Sequence, residues 1–369
     1  MPKTARFLCK FLSVVIALAL VLCALAFAAF TFFNAAPEGN IELLRPGIEE
    51  MVARGERGIR LGEDGALIFE VRSGETAHSV GMRLQSAGII RNRYFWNILF
   101  RLDNDFLRTG TYRIELPASQ FEIRSILTSG EQLFVRVTIP EGFTVRRTAR
   151  LLEEVGICSF DDFLAAAYSR EILDTFNIPG NSMEGYLFPD TYLFPLAYPA
   201  HRVVTAMAEN FFRRLEEIDA ELSGAISAMS PEEINRRVIL ASIVEREHRM
   251  PEEAPIMAGV FYNRLRIGML LQSCATVEYV ITEILGRPHP NVILFRDLEI
   301  RNPFNTYMYR GLPPGPISAP GRTALKAAFK PTDTEYLFFR LIDARTGRHH
   351  FSRTFEEHNR AGALFVRGS

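Results

Sequence analysis

A run of 23 uncharged residues, Phe11–Phe33, constrains this chain more than any other feature of its sequence. An α-helix of that length rises about 35 Å, which suffices to cross a hydrocarbon core of about 30 Å. Three basic residues lie among the first ten, whereas the seven residues after the run carry one acid and no base. The positive-inside rule therefore predicts a cytoplasmic segment, 1–10, a transmembrane helix, 11–33, and an exported remainder.

Two other interpretations of this run stay open. Ala24-Leu25-Ala26 has the small-x-small pattern of a signal-peptide cleavage site, although the apolar run continues well beyond it. Cys23 would suit a lipoprotein site only if a small residue preceded it, and Leu22 stands there. The length of the run favours a retained single-pass anchor.

Charge and cysteine content argue against several classes of function. The chain has 42 Lys and Arg against 43 Asp and Glu, so no global basic field favours nucleic-acid binding. Four cysteines are too few for a disulfide framework, and no pair has metal-ligand spacing. A Cys158–Cys274 bridge stays open, but two buried thiols are the simpler expectation. The seven histidines lack any ligand spacing, so we predict no metal and no cofactor.

An internal repeat follows at an offset of 68 residues, with residues 69–89 matching residues 137–157. Each copy has the pattern of a strand, a glycine turn, a helix capped by threonine and a final glycine. This pattern resembles LysM-type modules, which bind polymers of N-acetylglucosamine. The predicted parts are a linker (34–65), a LysM-like module (66–134), and a C-terminal domain (135–369) that starts with a second LysM-like repeat (135–158).

The C-terminal domain mixes helical and strand patterns. Helices are predicted over residues 160–176, 202–222 and 253–266, and a hairpin over residues 336–352 precedes a last helix from Thr354. Because strands and helices are mixed rather than regularly alternating, we predict an α+β fold: one transmembrane helix, small LysM-like modules and a mixed α/β domain.

The best-marked helix of the chain carries a carboxyl group on its apolar side. Ser230 supplies an N-cap and Glu233 completes a capping box, so the helix should run from Pro231 to about Met250. The seven residues before Glu245 contain one hydroxyl and no charge, which indicates burial. Burial should keep Glu245 protonated near neutral pH, as a general acid for glycosidic-bond cleavage requires.

Alternatives to a functional site stay open at this stage. Glu245 could be solvated where the helix emerges, or could pair with Arg249 four residues on. Residues 183–194 and 302–318 are rich in aromatic, amide and hydroxyl groups, which suit stacking on sugar rings and hydrogen bonds to their hydroxyls. Taken alone, such loops are more often packing and turn segments.

Several blocks of sequence together carry a resemblance. They are A-S-I-V-E-R-E (241–247), E-G-Y-L-F-P-D-T-Y (184–192), V-F-Y-N-R-L (260–265), L-Q-S (271–273), N-T-Y (305–307), G-L-P-P-G-P-I (311–317) and H-F-S-R-T-F-E-E-H-N (350–359). Their order and spacing resemble those of the MltG-type (YceG-like) endolytic murein transglycosylases, from about residue 69 to residue 359.

The resemblance implies an inner-membrane anchor with a catalytic transglycosylase domain in the periplasm. Members of the family cleave the β-1,4 bond between N-acetylmuramic acid and N-acetylglucosamine within a glycan strand. They use one glutamate, which maps to Glu245: it protonates the leaving oxygen, then acts as base while the C6 hydroxyl attacks and a 1,6-anhydro end forms. The implied partners are glycan strands, the membrane and the peptidoglycan synthases whose nascent strands the enzyme would end.

The same blocks supply the candidates for substrate binding and one departure from the family. An aspartate usually follows L-Q-S, where this chain has Cys274, and Glu278 is a candidate replacement for that acid. The candidate substrate-binding residues are Glu184, Tyr186, Asp190, Tyr192, Asn263, Gln272, Ser273, Asn305, Tyr307 and Ser318.

Two other functions remain as alternatives. A non-catalytic, membrane-anchored peptidoglycan-binding scaffold would explain Cys274, but the intact Glu245 opposes it. A hydrolase that adds water would need a second carboxylate beside the substrate, for which Glu184 and Asp190 are candidates.

Overall fold

A computed structural model describes residues 3–37, 41–53, 58–62, 64–103, 105–290 and 292–366. Contacts divide the chain into two compact units, of which the first holds residues 1–134 and 195–197 and the second holds residues 135–194 and 198–369. Each unit contains both helices and strands, which confirms the predicted α+β class.

The first unit is built on a three-stranded antiparallel sheet in the order β1-β2-β3. Phe69, Trp96 and Tyr112 are among the largest side chains of its core. Its elements are α1 (Lys3–Asn34), α2 (Ile41–Ala53), β1 (Ile59–Leu61), β2 (Leu67–Val71), α3 (Ala77–Ser86), α4 (Arg93–Asp103), β3 (Gly110–Ile114) and α5 (Gln120–Ser129).

Helix α1 contains a segment, Phe11–Asn34, that is long and apolar enough to cross a membrane. This segment matches the predicted span of residues 11–33. The predicted linker, by contrast, is partly structured: Ile48 and Met51 of α2 and Ile59 of β1 are buried in the core of the first unit. Within that linker, positions 38–40, 54–57 and 63 lie outside the described residues.

The remaining elements belong to the second unit, apart from the boundary residues Phe134 and Pro195. Strand β4 pairs with β5, and β6 pairs antiparallel with β7. These elements are β4 (Phe134–Thr138), α6 (Val145–Glu154), α7 (Phe160–Ala167), α8 (Arg170–Thr175), β5 (Thr191–Pro195), α9 (Ala200–Glu221), α10 (Pro231–Glu247), α11 (Ala254–Arg266), α12 (Cys274–Tyr279), α13 (Arg322–Phe329), β6 (Phe338–Asp343), β7 (Arg348–Ser352) and α14 (Phe355–Arg360).

The two copies of the repeat adopt the same local structure. Strand β2 leads through Gly74, at φ +80°, to Thr76, which caps α3, and β4 leads through Gly142, at φ +74°, to Thr144, which caps α6. Glycine suits both turns because a side chain disfavours positive φ. Glycan binding by either copy, in the manner of a LysM module, stays a prediction.

Helix α10 positions the candidate acid within the second unit. Its capping box is confirmed, since the Glu233 amide donates to Ser230 Oγ at 3.2 Å and the Ser230 amide donates to Glu233 Oε2 at 2.8 Å. The helix ends at Glu247, earlier than predicted, because His248 has an extended backbone with ψ 144°. Residues 238–244 are all buried, and the helix packs against α11, α12 and α13.

Candidate active site

Glu245 lies in the last turn of α10, directly after the buried stretch, and is itself half-buried. Its Oε2 accepts a hydrogen bond of 2.9 Å from the Gly321 amide. The alternative ion pair with Arg249 does not form in the described part of the chain. Burial raises the pKa of Glu245 to about 8, and the charge of Glu141 acts in the same direction. The carboxyl is therefore mostly protonated at neutral pH, as the sequence predicted.

A serine inside α10 anchors the loop that carries Gly321. Ser242 is fully buried, and its Oγ donates to the Ile239 carbonyl at 2.7 Å and accepts from the Ile317 amide at 3.0 Å. Ser318 Oγ donates to the Ser242 carbonyl at 3.0 Å. These buried bonds hold the loop against the helix. Ser318, a predicted substrate-binding residue, is buried and stabilises the position of this loop.

Ser242→Ala should therefore weaken both the fold and the activity. The change leaves the buried Ile317 amide without its acceptor, which costs about 1–3 kcal/mol of unfolding free energy. It also loosens the loop whose Gly321 amide contacts Glu245. Thermal melting and catalytic turnover would measure the two effects, with the exposed Ser125→Ala as a control. Wild-type melting and turnover in Ser242→Ala would contradict the anchoring role.

The turn between β4 and α6 forms the other wall of the site. The Gly142 amide donates to the Ala319 carbonyl at 2.9 Å, and the Ala319 amide donates to the Phe143 carbonyl at 2.7 Å. A Cβ on Gly142 would lie 3.9 Å from Glu245 Cγ. The turn and the 316–321 loop therefore meet beside Glu245.

The same turn brings a second carboxylate to the site. The exposed Glu141 lies so close to Gly321 that a Cβ at position 321 would collide with its carboxylate. Glu141 was not identified from the sequence. The repeat nevertheless carried a signal, because the second copy has an acid where the first copy has Ser73.

Glu247 organises several of the predicted residues at the end of α10. Ser273 Oγ donates to Glu247 Oε1 at 2.5 Å, and burial raises the pKa of Glu247. The Ser273 amide donates to Thr306 Oγ1 at 3.1 Å. Tyr307 Oη lies 3.1 Å from Cys274 Sγ. The structure thus brings Ser273, Cys274 and Tyr307 together next to the helix that carries Glu245.

These blocks all lie within the match to a single family model. The model described as the YceG-like family matches residues 69–363. The chain belongs to the YceG-like family. A solved structure of a YceG-like protein from Listeria monocytogenes is 28% identical, covers 80% of this chain and 98% of its own, and has a TM-score of 0.53.

Two curated relatives of this YceG-like chain carry the name endolytic murein transglycosylase. The relative from Bacillus subtilis is 27% identical, over 81% of this chain and 84% of the relative. The relative from Streptococcus pneumoniae is 26% identical over 80% of this chain. The chain spans 58% of the length of that pneumococcal protein, a little over half.

Four predicted substrate-binding residues of the YceG-like blocks form hydrogen bonds with residues other than Glu245. The Val145 amide donates to both Glu184 oxygens at 3.2 Å, and burial raises the pKa of Glu184 to about 8. Tyr186 Oη donates to Asn235 Oδ1 at 2.8 Å. No hydrogen bond among the described residues joins this group to Glu245. The four residues are Glu184, Tyr186, Asp190 and Tyr192.

Asp190 and Tyr192 lie in a separate polar cluster of the YceG-like protein. Asn210 Nδ2 and an Arg214 nitrogen each donate to Asp190 Oδ2 at 3.1 Å. Burial alone would raise the pKa of Asp190, but the hydrogen bonds from Asn210, Thr191 and Arg214 outweigh it and lower that pKa. Tyr192 Oη donates to the Phe188 carbonyl at 2.6 Å.

Of the other predicted substrate-binding residues, two are buried asparagines that donate hydrogen bonds to backbone carbonyls, and one is an exposed glutamine. Asn263 Nδ2 donates to the carbonyls of Thr334 and Tyr336 at 2.7 and 3.0 Å. Asn305 is fully buried, and its Nδ2 donates to two carbonyls of its own loop at 2.9 Å. Gln272 is exposed, at φ +51°. Gln272 is thus the exposed member of the predicted substrate-binding set, whereas Tyr307, Asp190 and Tyr192 are half-buried.

Cys274 is the position at which this chain departs from the family. Cys158 and Cys274 are both free thiols, so the bridge between them does not form. Glu278, the candidate replacement acid, accepts a hydrogen bond of 2.7 Å from Arg246 and lies 3.6 Å from His289 Nε2. Among the described residues, no group of three acidic, histidine or cysteine side chains has the geometry of a metal site.

Proposed function

We propose that this YceG-like protein is an endolytic lytic transglycosylase of peptidoglycan. It cleaves the MurNAc-β-1,4-GlcNAc bond within glycan strands and leaves 1,6-anhydroMurNAc ends, with Glu245 as general acid and base. One observation carries the proposal: a half-buried carboxyl whose pKa is raised to about 8 lies where two loops meet. The names of the relatives from Bacillus subtilis and Streptococcus pneumoniae support the reaction class.

The chemistry needs a single group that first gives and then takes a proton. Protonated Glu245 donates its proton to the GlcNAc oxygen as the glycosidic bond breaks and positive charge develops at C1 of the muramic acid. The Glu245 carboxylate then accepts the proton of the C6 hydroxyl as that oxygen bonds to C1. The proton returns to Glu245 and no water is consumed.

Hydrolysis is a second candidate, which Glu141 favours. A hydrolase that adds water uses a second carboxylate to activate it. Glu141 lies against the loop beside Glu245, whereas the predicted candidates Glu184 and Asp190 are held by hydrogen bonds elsewhere. We therefore replace those two residues by Glu141 as the second carboxylate of this alternative.

The products of cleavage in ¹⁸O-labelled water distinguish the functions. The full chain in detergent micelles would be incubated with purified glycan strands beside its Glu245→Gln variant, and the fragments analysed by mass spectrometry. Unlabelled anhydro ends from the wild type alone support the transglycosylase. Labelled reducing ends that disappear in Glu141→Gln identify a hydrolase. Strand binding without cleavage by the wild type indicates the scaffold.

Three further assignments belong to the same proposal. The N-terminal apolar helix supports an anchor in the inner membrane, with the N-terminus in the cytoplasm and the catalytic domain in the periplasm. Cleavage there would end nascent strands near the synthases that extend them. The repeated strand–turn–helix unit supports LysM-like binding of glycan.

Cys274→Asp should hold or raise activity, up to severalfold. Cys274 is the first residue of α12, where a carboxylate is favoured, and an aspartate there could accept a hydrogen bond from Tyr307 in place of the thiol contact. Turnover of glycan strands by Cys274→Asp and by the uncharged control Cys274→Asn would measure the effect. A clear loss in the aspartate variant alone would contradict it.

A further inference from the structure

An open cavity of about 530 Å³ adjoins the turn at Gly142, and four arginines contribute to its lining. Helix α6 supplies two of them, α10 supplies one, and the segment after a π-helical turn at Val280–Ile284 supplies the fourth. The charged lining residues other than histidine are Arg147, Arg150, Arg246, Arg287, Glu278 and Glu283.

The positive charge of this arginine-lined cavity is only partly neutralised. Four arginines face two glutamates, an excess of two positive charges. Glu278 is engaged by Arg246 at 2.7 Å, and Glu283 lies 3.9 Å from Arg146, which is outside the lining. The other three arginines have no ion pair among the described residues.

Ring contacts hold two of these arginines without using their hydrogen-bond donors. The Arg147 guanidinium lies 4.1 Å from the centre of the Phe143 ring, and that of Arg150 lies 5.9 Å from the Phe160 ring. Burial and then the nearby Arg246 charge lower the pKa of Arg147, as expected for cations held close together. Guanidinium groups placed in this way suit an anion with paired oxygens.

The cavity lies next to the candidate acid. A Cβ on Gly142 would be 3.4 Å from Arg246 Cδ and 3.9 Å from Glu245 Cγ, so Arg246, which lines the cavity, and the acid lie against the same turn. In peptidoglycan, the muramic acid at the cleaved bond carries a peptide stem on its lactyl group. That stem bears several carboxylates within reach of its sugar.

We propose that the arginine-lined cavity binds a carboxylate of the peptide stem, which makes peptide-bearing strands better substrates than denuded ones. The assignment rests on the proposed function, because it takes Glu245 as the point of cleavage. A pyrophosphate that links a nascent strand to its lipid carrier offers similar anionic oxygens. The substrates of the test separate these two sources.

The test compares one double variant on three substrates. The full chain in detergent would be assayed on peptide-bearing strands, on the same strands after an amidase has removed the stems, and on denuded strands that carry a polyprenyl pyrophosphate. Arg147→Gln/Arg287→Gln should lower kcat/KM on the peptide-bearing strands at least tenfold, mostly through KM, since each lost charge-assisted contact is worth roughly tenfold. Its turnover of denuded strands should match the wild type.

Arg236→Gln provides the matched control, because Arg236 lines a separate cavity of about 430 Å³ with Arg237 and Tyr262. An equal fall on peptide-bearing and denuded strands would overturn the stem assignment. So would a fall confined to the pyrophosphate-linked strands, which would place the lipid-linked phosphate in the cavity.

A binding measurement keeps the inference separate from catalysis. An isolated stem peptide would be titrated into the full-length Glu245→Gln protein and followed by calorimetry. Binding that weakens at least tenfold in the double arginine variant, and not with Arg236→Gln, supports the cavity even if no strand is cut. Failure of the peptide to bind would overturn the inference and leave the cleavage proposal standing.

Discussion

Glu245→Gln should fold as the wild type does and lose cleavage by a factor on the order of 10²–10⁴, the usual contribution of a general acid. Glutamine keeps an oxygen that can accept the hydrogen bond from the Gly321 amide, so the contact seen in the structure survives. What disappears is the proton that the leaving oxygen requires. The size of the loss therefore reports on the chemical step rather than on the fold.

The measurement is the rate at which purified strands are cut, beside the melting temperature of the same preparation. Glu252→Gln makes a matched control, because Glu252 is an exposed glutamate seven positions along the chain. We expect it to cut at the wild-type rate. Cleavage by Glu245→Gln at that rate would remove Glu245 from the mechanism.

The second prediction with a large effect concerns the dependence of the free energy of unfolding on pH. The pKa of the buried Glu184 is raised to about 8, whereas an unfolded glutamate titrates near 4.5. Well below pH 4.5, Glu184 is protonated in both the folded and the unfolded state, so its contribution to the free energy of unfolding is complete. As the pH rises toward 8, only the unfolded state releases the proton, so the unfolding free energy falls by up to about 1.4 kcal/mol per pH unit. Glu245 acts in the same direction, by less because it is partly exposed.

Between pH 5 and 8 these two carboxyls together should lower the free energy of unfolding of the second unit by a few kcal/mol. For a unit of about 230 residues that corresponds to a fall in melting temperature on the order of 10 °C. Glu184→Gln should remove a large part of this dependence, since glutamine stays neutral and still accepts from the Val145 amide. Thermal melts at pH 5, 6.5 and 8 would show it, with the exposed Glu154→Gln as control. Identical pH profiles for Glu184→Gln and wild type would contradict the prediction.

The parts of this protein that were predictable from sequence are those fixed by local interactions. The capping box at Ser230 and Glu233 and the glycine turns of the repeat depend on residues a few positions apart, and all formed as expected. The burial of Glu245 followed from the apolar residues before it on the same helix. Strand β1 was missed because three residues are too few to show an alternating pattern.

Other features depend on partners far apart in the chain. Glu184 and Asp190 were reasonable candidates for a second carboxylate, but their environments are set by Val145 and Arg214, 39 and 24 residues away. Glu141 reaches the site only because its turn bonds to Ala319. The arginines of the arginine-lined cavity come from α6, from α10 and from the segment after the π-helical turn. Such arrangements come from tertiary packing, which no local spacing encodes.

The hydrogen bond to Glu245 comes from a main-chain amide rather than from a side chain. Among the coded residues only proline lacks that donor, so other substitutions at position 321 keep the amide, although any side chain there would displace the Glu141 carboxylate. Heritable variation in the acidity of Glu245 must therefore act indirectly, through the neighbouring Glu141 or through serines such as Ser242 that hold the loop. Lineages adapting to a different external acidity would be expected to change those residues while the amide itself persists.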